Sequence, residues 1–185
     1  MTLKEKIEEA FRNRSKPDEV YRLSDNDRIY SIDSDIEKTL WFSGRDWRKL
    51  SWDDWQKYYC AIFFFLPEAF AYYLPSIMIT ALERLENSSM AADSILHDLD
   101  RSPGQENWDL RLTERYLQLD FQELEAIEEW MIKLSDSPAY KGFGLSDGGP
   151  GDFLGRAFDT ITALRERRVE MMKEETQKRC NEIST

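Results

Sequence analysis

The 25 residues from Tyr58 to Leu82, YYCAIFFFLPEAFAYYLPSIMITAL, contain a single charge, Glu68. A run this apolar has to leave water, and two ways of doing so compete. About 20 apolar residues suffice to cross a bilayer. Here, however, Pro67 and Pro75 interrupt the run, Glu68 stands near its middle, and Tyr58, Tyr59, Tyr72 and Tyr73 bring hydroxyls that need partners. A broken, tyrosine-rich helix is costly in lipid unless protein covers it. The chain as a whole is polar, with a mean hydropathy of -0.64. The run therefore reads as a central buried helix pair in a soluble, membrane-free fold.

At 185 residues the chain can build one sizeable core. Thirteen of its 24 aromatic residues fall between Trp41 and Tyr73. That concentration favours one domain organised around the apolar run and excludes disorder, which goes with few aromatics. Cys60 lies inside the run and reads as a small buried hydrophobe; with only Cys180 besides, there is no disulfide framework. The start, MTLKEKIEEAF, has no uninterrupted apolar stretch of the kind a signal peptide needs. A reducing cytoplasm is the expected compartment.

Helix signals dominate. Thr2 and Glu5 form a capping box, followed by Leu3, Ile7, Ala10 and Phe11 at helical spacing, so a helix is expected from Leu3 to Arg14. Residues Asp18 to Ile32 show no clear period. Asp33 or Ser34 can cap a short helix through Ile36 and Leu40, ended at Gly44. Ser51 to Asp54 is a second capping signature and opens a helix to about Phe65. Pro67 fits the first turn of the next helix, with Pro75 expected to kink or restart it before Asn87. Ser89 to Leu99 gives another helix, with Met90, Ile95 and Leu99 inward. Asp120 and Glu123 form a third capping box, and the helix they open turns Phe121, Leu124, Ile127, Met131 and Leu134 inward. The stretch 136–151 is glycine-rich. Asp152 then caps a last helix, 152–180, with Leu154, Ala157, Phe158, Ile161 and Leu164 on one face. The prediction is a single all-α domain: an irregular bundle of six to eight helices around the central pair. An N-terminal part spans 1–34 and the core spans 35–135.

The signatures of known chemistries are weak. His97 is the only histidine, and no nucleophile motif stands near it. One histidine and two distant cysteines do not make a zinc site, and no Glu-x-x-His pair exists for a di-iron site. The glycine run at 142–151 lacks the GK[ST] ending of a phosphate loop. No cofactor, no metal and no catalytic residue are expected. Glu68 is the acid of most interest, because its neighbours in sequence are apolar. The tryptophans and tyrosines from Trp41 to Tyr59 have few basic residues among them, and with a net charge of -11 they read as packing, not as a base-stacking platform.

That charge points to a basic partner. On the helix opened by Asp120, Glu123, Glu125, Glu128 and Glu129 are expected to form an acidic face, joined by Asp98, Asp100 and Glu106.

The segment Leu66 to Pro75, LPEAFAYYLP, resembles the core signature of a family of small, uncharacterised bacterial helical proteins, F-L-x-P-E-A-F-x-Y-Y-L-P-A. The segment Phe121 to Trp130, FQELEAIEEW, is similar to that family's last helix. The resemblance spans about 35–135. It departs from the pattern at Ser76, where alanine is usual, and where Leu66 joins Pro67 directly. It implies a helical fold, and the family has no assigned activity to carry over to residues of this chain. The function expected from class and charge is non-catalytic: an immunity or antitoxin protein that blocks a basic toxin or effector, such as a nuclease, through the acidic face. The alternative is an adaptor, chaperone or homodimerising module with exposed tryptophans between 41 and 55. An enzyme with a carboxylate site ranks below both.

Overall fold

The central element is α4, Pro67–Leu82, a single helix in which every residue from Ala69 to Ala81 is buried. In the computed structural model, which describes residues 1–22, 33–101, 104, 106, 108–140 and 153–183, it runs unbroken through Pro75. A proline inside a helix costs about 3 kcal/mol. Full burial of a large apolar side chain returns about 1.5–3 kcal/mol, so Phe70 and Leu74, at 1% and 0% exposure, are enough to offset it. The helix therefore neither kinks apart nor restarts. Pro67 occupies its first turn, where the missing N–H has no partner to lose.

Seven further helices occur among the described residues: α1 (Leu3–Ala10), α2 (Asp33–Leu40), α3 (Trp52–Tyr58), α5 (Met90–Leu99), α6 (Leu110–Tyr116), α7 (Phe121–Ser135) and α8 (Phe153–Ile183). No strand occurs among the described residues. The chain is an all-α domain. The helix expected to reach Phe65 ends at Tyr58 and continues as a 3-10 turn over Tyr59–Phe63, and α4 packs on α1 and on α6 at least as extensively as on this composite element. All three capping boxes are present, at Thr2, Ser51 and Asp120. From residue 141 the glycine-rich stretch lies outside the described residues, as do the Asp152 cap and the Cys180 side chain.

Three buried polar groups of the aromatic side chains find partners. The Tyr73 hydroxyl donates to the Phe42 carbonyl at 2.5 Å. Trp55 Nε1 donates to Ser76 Oγ at 2.9 Å, and Trp130 Nε1 to the Met78 carbonyl at 3.1 Å. Two residues expected inward are exposed instead: Met90 at 45% and Phe121 at 39%. Each is the first residue after a capping side chain, Ser89 or Asp120. Helical side chains lean toward the N-terminus, so a first-turn side chain overshoots the end of its own helix. Glu68, expected in apolar surroundings, is exposed for the same topological reason: it stands in the first turn of α4, where the helix meets solvent.

The segment after α7 is tied back to α5. The Tyr140 hydroxyl donates to Asp93 Oδ1 at 2.8 Å and accepts from the Ser89 amide at 3.3 Å. Burial pushes the Asp93 carboxyl above its ordinary value; the Tyr140 bond and His97 pull it down without cancelling that effect. A raised carboxyl favours the fold while protonated, and that advantage is lost as pH rises through the folded value. Asp93→Asn is therefore expected to melt higher than the wild type at pH 7. The gap should close as the pH falls toward 4, the ordinary value for an unfolded aspartate. Melting curves across that range check it.

Candidate functional site

The outer face of α7 holds three of the seven carboxylates expected to meet a partner. The helix packs between α1 and α8. Lys6 of α1 reaches two of its carboxylates, Glu129 at 2.6 Å and Glu125 at 3.2 Å. Arg165 of α8 pairs with Glu128. The α1 lysine and the α8 arginine thus pin a row of three acids from either side. All three remain partly open to solvent, at 38%, 43% and 25% for Glu125, Glu129 and Glu128.

The other four carboxylates are not on this face. Glu123 is 1% exposed. Its two oxygens take the Arg14 guanidinium at 2.5 Å, and one of them also accepts the Asp120 amide at 2.7 Å. Its position four residues before Ile127 and seven before Trp130 puts it on the inward face, a spacing legible in the sequence. Asp98, on α5, is 6% exposed and held by Arg111 at 2.9 Å and Arg115 at 3.3 Å. Asp100 accepts from Arg156 at 2.6 Å. Glu106 is exposed on the connection between α5 and α6. The single acidic surface expected from the sequence is therefore divided. Glu123, Asp98 and Asp100 hold elements together, and Glu125, Glu128 and Glu129 face out.

Apolar side chains flank the row. Phe121 and Ile132, the latter 50% exposed, stand eleven residues apart, about three turns, on the same side of α7. The Arg165 guanidinium lies 4.7 Å from the Phe121 ring centre. Beside Phe121, a groove of about 580 Å³ is lined by Val169, Met172 and Thr176 of α8. Met172 is 50% exposed. Periodicity does not mark these anchors, because it places Phe121 inward and α8 beyond Leu164 has no strong apolar period.

The aromatic segment is differently disposed. Trp47 and Trp55 are 2% and 0% exposed and belong to the core, while Trp41 and Trp52 are half-buried. Trp41 stacks on Tyr58 with ring centres 4.3 Å apart, and the Arg45 guanidinium covers it at 3.6 Å. Both faces of that ring are occupied from within the chain. A cleft of about 720 Å³ runs from the end of α1 to the start of α4. Arg14, Lys16 and Arg22 line it together with Asp18, Glu19 and Glu68, so it presents charges of both signs in equal number. No group of three side chains able to hold a metal occurs among the described residues, and none of their helices is long and apolar enough to cross a membrane.

The model of a family of unknown function, DUF6714, matches residues 1–138. The chain belongs to that family. There is no match among curated proteins or among solved structures. The family match begins at α1 and runs past α7, wider than the 35–135 resemblance, and leaves α8 outside. Residues 1–138 contain 28 acidic and 17 basic side chains, so the net charge of -11 resides entirely in the family portion.

Proposed function

We propose that this chain is a non-catalytic protein-binding protein of the immunity or antitoxin kind, which occludes a basic bacterial toxin or effector on the outer face of α7. The supporting observation is the row Glu125, Glu128 and Glu129, fixed by Lys6 and Arg165 and bracketed by exposed Phe121 and Ile132. Carboxylates already held in place lose little side-chain freedom on binding, and each keeps acceptor positions for an incoming arginine. Phe121, with the neighbouring Met172 groove, supplies the desolvated anchor that hot spots require. The acidic field of the 138-residue family portion would speed the approach of a basic partner.

The test is binding to the product of the neighbouring gene, measured by calorimetry at two salt concentrations. Glutamine at 125, 128 and 129 together is expected to weaken the complex by about tenfold or more and to flatten its salt dependence. Phe121→Ala is expected to weaken it at both salt concentrations, because the loss is apolar. Unchanged affinity in both variants would remove α7 as the docking face.

A further inference from the structure

We propose that the partner element seated on α7 is a basic amphipathic helix, laid along it as the second strand of a short coiled coil; this rests on the α7 reading above. Phe121, Glu125, Glu128 and Ile132 stand at i, i+4, i+7 and i+11 of one helix. Alternating steps of four and three residues form the seam along which two helices pack side by side. Phe121 and Ile132 are exposed, and Glu125 and Glu128 are half-buried. The seam is therefore open over about 16 Å of helix axis.

Its two ends are apolar and its middle is acidic. The groove of about 580 Å³ beside Phe121 lies against α8, and a pocket of about 240 Å³ beside Ile132 has Met1 and Leu3 on its α1 side. The two cavities stand on opposite flanks of α7, so a rod that reaches both crosses the helix over Glu125 and Glu128. The chain already displays the matching pattern in α8. Ile161, Arg165, Arg168 and Met172 have the same spacing as the seam. Arg165 pairs with Glu128, and its guanidinium lies 4.7 Å from the Phe121 ring centre. An apolar–basic–basic–apolar helix is thus what α7 accepts on its α8 flank.

The opposite flank is left with surplus acid. Among the described residues, Lys6 alone pairs with Glu125 and Glu129. One cation serves two carboxylates, and each keeps acceptor positions for an arginine. Charge also decides against a second copy of this chain. Antiparallel pairing of two such seams sets Glu125 of one copy against Glu128 of the other, and parallel pairing sets each glutamate against itself. Like charges so placed repel. The complementary helix therefore carries arginine or lysine at its two central seam positions and apolar side chains at the outer two.

Two fluorescein-labelled peptides, each about 20 residues long so that a helix can form in water, serve as probes. One carries Leu, Arg, Arg and Leu at i, i+4, i+7 and i+11 on a background of alanine and glutamine. The other has the same composition with both arginines moved to the opposite face. In anisotropy titrations with the full chain, the first peptide is expected to bind about tenfold or more tighter than the second. Ile132 is 50% exposed, so Ile132→Lys leaves the core intact, which a melting curve checks. That variant should weaken the first peptide by about fivefold or more. Equal affinity of the two peptides overturns the proposal. So does no binding of the first at about 1 mM, or an Ile132→Lys variant that binds it as the wild type does. The helix and the reading it rests on fail separately. If glutamine at 125, 128 and 129 still weakens the complex with the neighbouring gene's product while the peptides show no such difference, only the helix is lost.

Discussion

Arg115→Met is expected to lower stability by about 3–5 kcal/mol, the usual cost of removing one member of a buried ion pair. Arg115 is 3% exposed and bridges three elements. It reaches Asp98 on α5 at 3.3 Å, and its other terminal nitrogen donates to the Phe63 and Phe65 carbonyls at 3.2 and 3.0 Å. Those carbonyls close the turn that leads into α4. Burial, and then the neighbouring Arg111, depress the Arg115 guanidinium to about 10, so its charge is held at a cost that Asp98 and the carbonyls must offset. Methionine fills the space but leaves two carbonyls unpaired, and Asp98 keeps only Arg111. Lysine at 115 should fall between wild type and methionine, because a single ammonium cannot replace a planar fork that serves three acceptors. Urea unfolding of the three proteins would show the order; a midpoint for methionine within error of wild type would mean that the bridge contributes nothing net.

Much of this fold was legible because its signals are local. The capping boxes at Thr2, Ser51 and Asp120 depend on side chains three residues apart, and each forms. The apolar period of 124, 127, 131 and 134 likewise places α7 against the core. Pro75 was harder to read. The rule that proline breaks helices is local, but what keeps α4 whole is its burial, with Phe70 against Tyr116 of α6 and Tyr73 against Phe42, which sequence spacing does not reveal.

The candidate face shows the same division. Which acids point outward follows from helical periodicity, and Glu123 could have been assigned inward on that basis. Which acids are neutralised could not, because their cations come from far away: Lys6 lies 123 residues from Glu129, and Arg165 lies 37 from Glu128. A negative total does not locate a negative surface when the tertiary fold decides the pairing.

Within this pairing scheme, Arg14→Ala is expected to destabilise the chain by about 3–5 kcal/mol, and by at least as much as Glu123→Ala. The two members are unequally buried: the Glu123 side chain is 2% exposed and Arg14 is 25% exposed. Removing Arg14 strands a carboxylate that water cannot reach, with only the Asp120 amide left to it. Removing Glu123 strands a guanidinium that can turn toward solvent while still donating to the Gln118 carbonyl, now 3.0 Å away. The double variant Arg14→Ala/Glu123→Ala should cost less than the two single losses added together, since it leaves neither charge uncompensated. The same comparison applied to Lys6 and Glu129, both more open to solvent than Glu123, should give a coupling of at most about 1 kcal/mol. If the Arg14–Glu123 coupling proved equally small, Glu123 could not be the tie between α1 and α7. If it is large, Glu123 is committed to the fold, and the face left to meet a partner is Glu125, Glu128 and Glu129.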